Sequence, residues 1–150
     1  MRAVVQRVRR AQVVVAGEVT GQIDQGLLVL VGVSREDTQA DADYLADKIA
    51  GLRIFEDGSG KMNLDVSTVG GAVLVVSQFT LYGDMRRGKR PSFDAAAPPQ
   101  EARLLYQYLV ERIRALGLAC QTGQFQQMMQ VELINDGPVT FVLDMDRSTP

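Results

Sequence analysis

The sequence predicts an α/β protein: a single layered domain of about seven mainly antiparallel or mixed strands in two packed sheets, with two main helices on one side. Three observations lead there. Short stretches with period-two or unbroken β-branched apolar patterning recur from residue 2 to residue 144. Two longer segments switch to helical spacing. Turn chemistry falls between these stretches, and no repeat, low-complexity tract or linker divides the chain. The 150 residues, 46% hydrophobic and 23% charged, suffice for one core without covalent staples, so the domain spans 1–150 with its last few residues a tail.

Residues 2 to 10 and 12 to 16 read as strands, with Val4, Gln6 and Val8 on one face and Val5, Arg7 and Arg9 on the other. "AGEVTGQ" supplies glycine turns around another short strand, and "GLLVLVGV" at 26 to 33 reads as a central strand covered on both faces. From Thr38 to Leu52, Ala42, Leu45, Ile49 and Leu52 recur at helical spacing, with Thr38 as N-cap. "RIFEDGSGKMNL" carries a turn at Asp57 to Gly60, and a strand follows from Ala72 to Thr80. A second helix spans about Pro99 to Leu116, where Ala102, Leu105, Leu109, Ile113 and Leu116 share a face and Gly117 ends it. Two final strands, around Met128 to Ile134 and Val139 to Asp144, flank "NDGP". Leu81 to Pro98 is the one long irregular stretch, the kind of loop that tends to carry function.

Composition removes several chemistries. The chain has no histidine, hence no Ser-His-Asp or Cys-His arrangement, no usual zinc site and no imidazole base. Cys120, the single cysteine, permits neither an intrachain disulfide nor a cysteine-pair metal motif and reads as an apolar filler. No metal or cofactor is expected. No apolar run approaches the roughly 20 residues of a membrane span, and "MRAVVQRVRR" lacks the pattern of a signal peptide; the expected location is cytoplasmic. A net charge of −2 argues against coating nucleic acid with the whole surface, although a local basic patch stays open.

Two strand ends turn polar. In "VVSQFTLYG" pleat alternation pairs Ser77 with Phe79 and Gln78 with Thr80 on opposite faces; this is either a strand fraying into solvent or a reactive edge. Thr80 as a nucleophile would need an adjacent base, which the local sequence does not offer. In "NDGPVTF" the Gly137–Pro138 pair is either an ordinary turn or backbone presented to a ligand. Arg86, Arg87, Lys89 and Arg90 form a cluster suited to phosphate, or a solvated loop. Arg2, Arg7, Arg9 and Arg10 form a second basic group that alternation splits between faces. Phe125 and Met129 fit either a nucleobase or the core.

Taken together, "SQFTL" at 77 to 81 and "NDGPVT" at 135 to 140, with "MRAVVQRV" at the start, "LRIFED" at 52 to 57, "GKMNL" at 60 to 64 and "RPSF" at 90 to 93, resemble the D-aminoacyl-tRNA deacylase family in its order and over nearly the whole chain. The resemblance implies the fold of that family. It also implies a homodimer that hydrolyses the ester between a D-amino acid and the terminal adenosine of tRNA, with the active site at the subunit interface. In that family the Gly-Pro bond is cis and reaches into the partner's pocket, which would give Gly137 and Pro138 the substrate's ammonium group. A backbone wall there rejects L side chains by clash, tolerates many D side chains and discriminates poorly against glycine. An aminoacyl ester is already activated, so positioning and electrostatics, with help from the adenosine 2′-hydroxyl, would replace the missing base. Ser77, Gln78 and Phe79 would shape the pocket, the Phe79 N–H facing the ester carbonyl, and Thr80 would position. Phe125 and Met129 would hold adenine, with Gln126 and Gln127 standing where the family has small residues. The basic loop would touch the tRNA backbone. A Thr80-nucleophile hydrolase and a non-catalytic module for the tRNA acceptor end are the alternatives.

Overall fold

Nothing in "RVRRAQVVV" breaks a strand, and in the computed structural model the two segments expected at the N-terminus run on as one strand, β1 (Arg2–Val15). The structure describes residues 1–145; the expected tail lies outside them. The next strands are β2 (Glu18–Ile23) and β3 (Gly26–Gly32), followed by helix α1 (Gln39–Gly51). A short ribbon, β4 (Phe55–Glu56) and β5 (Met62–Leu64), precedes β6 (Ala72–Ser77), helix α2 (Pro99–Ala115), β7 (Cys120–Thr122) and β8 (Gln130–Asp144).

The six-stranded sheet has the order β2-β1-β3-β6-β7, with β8 on the remaining edge of β1. β3, β6 and β7 are parallel, and α1 and α2 make the crossovers that parallel strands require. Both helices cover one face, where Leu27, Val29, Val31, Val73 and Val75 meet Leu45, Ile49, Leu109 and Ile113. On the other face Leu28, Leu74 and Val76 pack with Val8, Ala11, Val13 and Ile23. β1 therefore serves both clusters: Ala3 and Val5 face the helices, whereas Val8 and beyond face away. The change of phase coincides with irregular pairing to β8 on either side of Val8.

The α/β class, the two helices on one side and the mixed strand directions are as the sequence predicts, and the second sheet is the small β4–β5 ribbon. The ribbon turns where Asp57 accepts the backbone N–H groups of Ser59 and Lys61 at 2.8 and 3.1 Å, which holds its carboxyl below the usual range. Four boundaries differ from expectation. The two N-terminal strands are one. β6 stops at Ser77, because the chain then winds into a 3-10 turn, Phe79–Tyr82. The two final strands are one strand with an excursion, and β7 was not foreseen, its three residues being too short for periodicity to register. On α2 the buried stripe runs through Tyr106 and Val110, while Leu116 is exposed past the last turn. Cys120 is buried as expected, and burial pushes its thiol up to about 11.

Candidate functional site

The first polar strand end is built by a close approach. Ser77 pairs with Val31, and the Gln78 N–H donates to the Val31 carbonyl at 2.7 Å before the chain enters the 3-10 turn. Pleat alternation ends at Ser77, so the expected opposition of Phe79 and Thr80 across a strand does not occur. Gly32 lets the turn come close: a Cβ there would lie 3.0 Å from Tyr82 Cδ2 and 3.1 Å from both the Gln78 oxygen and Leu81 Cβ. Arg2 fastens the turn from below, donating to the Leu81 carbonyl at 2.7 Å with its guanidinium 4.6 Å from the Tyr82 ring centre. Burial, reinforced by Asp37, pushes the Tyr82 phenol up and keeps it neutral.

Gln78 uses its side-chain amide to donate to the Thr80 hydroxyl oxygen. Thr80 thus accepts from an amide and has no imidazole to deprotonate it, since the chain contains none. Phe79 is 57% exposed and tilts against Phe93 with ring centres 5.0 Å apart. As the first residue of a helical turn, its N–H has no acceptor within that turn.

The second motif is an excursion from a long strand. β1 advances from Gln6 to Val8 while β8 runs from Thr140 back to Asn135, so residues 136–139 have no cross-strand partner on β1. Gly137 sits at φ 143°, where a Cβ would meet Val139 Cγ2 at 2.5 Å, and the Gly137–Pro138 peptide is cis. Buried Arg7 donates from Nε to the Asp136 carbonyl at 3.0 Å and from Nη1 to the Ile54 carbonyl at 2.8 Å. Asn135 Nδ2 donates to the carbonyls of Arg7 and Val139, both at 2.9 Å. The excursion is pinned at both ends, and Gly137 and Pro138 between them are exposed. Sequence reading missed these braces; the usable signal was an arginine on the same pleat face as buried Val5.

The sheet separates the two motifs within a protomer. Register places Ser77 level with Val31, Ala3 and Leu143, across three strand spacings, on the order of 14 Å, and the excursion lies farther along β1.

The basic residues are on a hairpin closed by Asp84 and Ser92, with N–H···O distances of 2.7 and 2.9 Å. Arg86 does not project freely: its Nε and Nη2 bind the Asp84 carboxylate at 3.0 and 2.7 Å and hold that carboxyl down at about 2. Arg87, Lys89 and Arg90 are exposed and make no ion pair with the described residues.

Phe125 and Met129 follow β7 but pack apart. Phe125 belongs to the helix-side cluster, with Tyr106 5.9 Å and the Arg103 guanidinium 5.5 Å from its ring centre. Met129 packs with the cluster on the other face and against Gly123. Gln126 adopts φ 61°. Among the described residues no group of three or more Cys, Asp or Glu is placed to hold a metal, and no helix is long and apolar enough to cross a membrane.

The sequence model of the D-Tyr-tRNA(Tyr) deacylase family matches residues 4–144. The chain belongs to this family. Among D-Tyr-tRNA(Tyr) deacylase relatives, the D-aminoacyl-tRNA deacylase of Koribacter versatilis (strain Ellin345) is 67% identical over 144 residues, 96% of this chain and 97% of the relative. That of Symbiobacterium thermophilum is 64% identical over 148 residues, 99% of this chain and 98% of the relative. A solved c-Myc DNA Unwinding Element Binding Protein superposes with a TM-score of 0.91 at 42% identity, covering 97% of this chain and 99% of that one. A probable eukaryotic D-amino acid tRNA deacylase shares the fold with a TM-score of 0.84 at 15% identity, covering 96% and 98%. The deacylase family thus accounts for the chain from β1 through β8.

Proposed function

We propose that the protein hydrolyses the ester between a D-amino acid and the 3′-terminal adenosine of tRNA, acting in the cytoplasm as a homodimer. The Gly137–Pro138 excursion of one protomer enters the pocket at the β6 end of the other. The separation of the two motifs carries this reading: within one protomer they stand too far apart to meet on a single amino acid. β8 also offers a long free edge bearing exposed Leu133, Ile134, Phe141 and Val142, an apolar surface that a second copy would cover.

In the assembled pocket the carbonyls of Gly137 and Pro138 accept hydrogen bonds from the substrate's α-ammonium group. Their backbone, braced by Arg7 and Asn135, fills the space an L side chain needs, while a D side chain points away. Glycine has nothing to exclude, so glycyl-tRNA, including that mischarged on tRNA-Ala, is also cleaved. Water, assisted by the adenosine 2′-hydroxyl, attacks the ester carbon. The Phe79 N–H stabilises the oxyanion, and collapse expels the 3′-oxygen to give free D-amino acid and tRNA. Ser77 and Gln78 shape the pocket, Thr80 positions through its bond to Gln78, and Phe125 and Met129 border the adenosine. Arg87, Lys89 and Arg90, with Arg86 only through its shared charge with Asp84, approach the tRNA backbone.

The test is hydrolysis of matched D- and L-tyrosyl-tRNA beside glycyl-tRNA and a 2′-deoxy terminal adenosine. Loss of the D and glycyl esters, with the L and 2′-deoxy esters intact, is expected. Equal cleavage of both enantiomers would remove the role given to Gly137 and Pro138, and cleavage of neither would make the protein a binding module.

A further inference from the structure

A groove of about 240 Å³ between α2 and the loop after β7 has Phe125 on its wall and otherwise takes no part in the steps above. It is lined by Arg103, Tyr106, Gln107, Thr122, Gly123 and Phe125, with Glu111 and Arg114 at its rim. Most of its polar groups are already committed. The Tyr106 hydroxyl donates to the Val75 carbonyl at 2.8 Å. Glu111 accepts from Arg114 at 3.0 Å, and Arg114 also donates to the Cys120 carbonyl at 3.0 Å. Arg103 differs: it is exposed, makes no ion pair with the described residues, and lies 5.5 Å from the Phe125 ring centre. Stacking on an aromatic face orients a guanidinium while leaving its N–H edge free, an arrangement suited to a phosphate. With Glu111 neutralised by Arg114, the groove carries one uncompensated positive charge.

Resting on the tRNA-end reading above, which puts adenosine beside Phe125, we propose that this groove receives the phosphodiester joining the terminal adenosine to the nucleotide before it. Arg103 is the phosphate ligand and the Gln107 amide a second donor. The active site then grips the substrate one nucleotide beyond the ester, and the enzyme distinguishes a polynucleotide end from a free aminoacyl nucleoside.

The test compares D-tyrosyl-tRNA with D-tyrosyl-adenosine, which lacks that phosphate, for the wild type, Arg103→Ala and Arg103→Lys. For Arg103→Ala, kcat/KM on the tRNA falls roughly tenfold or more through KM, the adenosine ester is cleaved as by the wild type, and Arg103→Lys recovers part of the loss. The slope of log KM against log salt concentration on the tRNA shrinks by about 0.7, the share of one single-strand phosphate. Equal losses on both substrates would make Arg103 structural and overturn the inference, as would no loss on either. A wild type that leaves both esters intact would overturn the tRNA-end reading and this inference with it.

Discussion

Gln126 holds a left-handed backbone conformation, φ 61°, which strains a residue with a Cβ and suits glycine. Gln126→Gly relieves that strain and should stabilise the fold by roughly 0.5 to 1 kcal/mol, the relief exceeding the added freedom of the unfolded chain; urea unfolding should show a higher midpoint at unchanged slope. Sequence reading flagged the position through its resemblance to a family with small residues there, but only the backbone angle supplies the cost. Asp84 illustrates the opposite: it silences a cation that composition counts as available. Asp84→Asn frees Arg86, so tRNA should bind more tightly and with a steeper salt dependence, checked by titration at two ionic strengths. The same pair fixes a pH response. The Asp84 carboxyl lies at about 2 against an ordinary 3.8, so its contribution to the hairpin is complete above about pH 4 and is lost as pH falls through the folded value. For Thr80, which accepts from Gln78, replacement by alanine should leave appreciable turnover; loss of all activity would restore the nucleophile.

At the scale of elements, two glycines decide how closely segments approach. At Gly26 a Cβ would stand 1.8 Å from the Ala72 carbonyl oxygen in the neighbouring strand, so Gly26→Ala must part β3 from β6 and should cost on the order of 4 kcal/mol or more. Gly32→Ala is milder, its neighbours at 3.0 to 3.1 Å being Gln78, which caps the 3-10 turn, and Leu81 and Tyr82 within it. It should shift Phe79 and Thr80 slightly and lower kcat roughly tenfold while leaving the protein folded, as steady-state kinetics beside a melting curve would show. The helices were legible because both carry an apolar stripe and an end signal: Thr38 caps the start of α1, and Gly117 ends α2. The strands were legible as stretches but not in their ends. Ser, Gln, Phe and Thr fit a strand as well as a 3-10 turn, and the turn is held by tertiary contacts with Gly32 and Arg2. Likewise Gly137 and Pro138 read as a gap between two strands, whereas pairing to β1 on both sides makes them an excursion from one.

For the whole molecule, one protomer holds both motifs but places them on opposite sides of β1 and β3. The sequence contains each motif and cannot express the distance between them, which arises from the order of strands. Val142→Glu on the free edge should give a folded monomer by sedimentation and circular dichroism that no longer cleaves D-aminoacyl-tRNA. A monomer of full activity would exclude the cross-subunit pocket. The pairing of β1 with β8 has a separate consequence for how the chain matures. Arg2 finds its partner Asp144 at the far end of the described chain, so during synthesis β1 emerges with no partner for its outer edge until β8 has been made. A chain halted before residue 130 keeps that edge accessible. It should remain open to proteolysis and prone to self-association, so that the synthesis of β8 decides when this edge becomes protected.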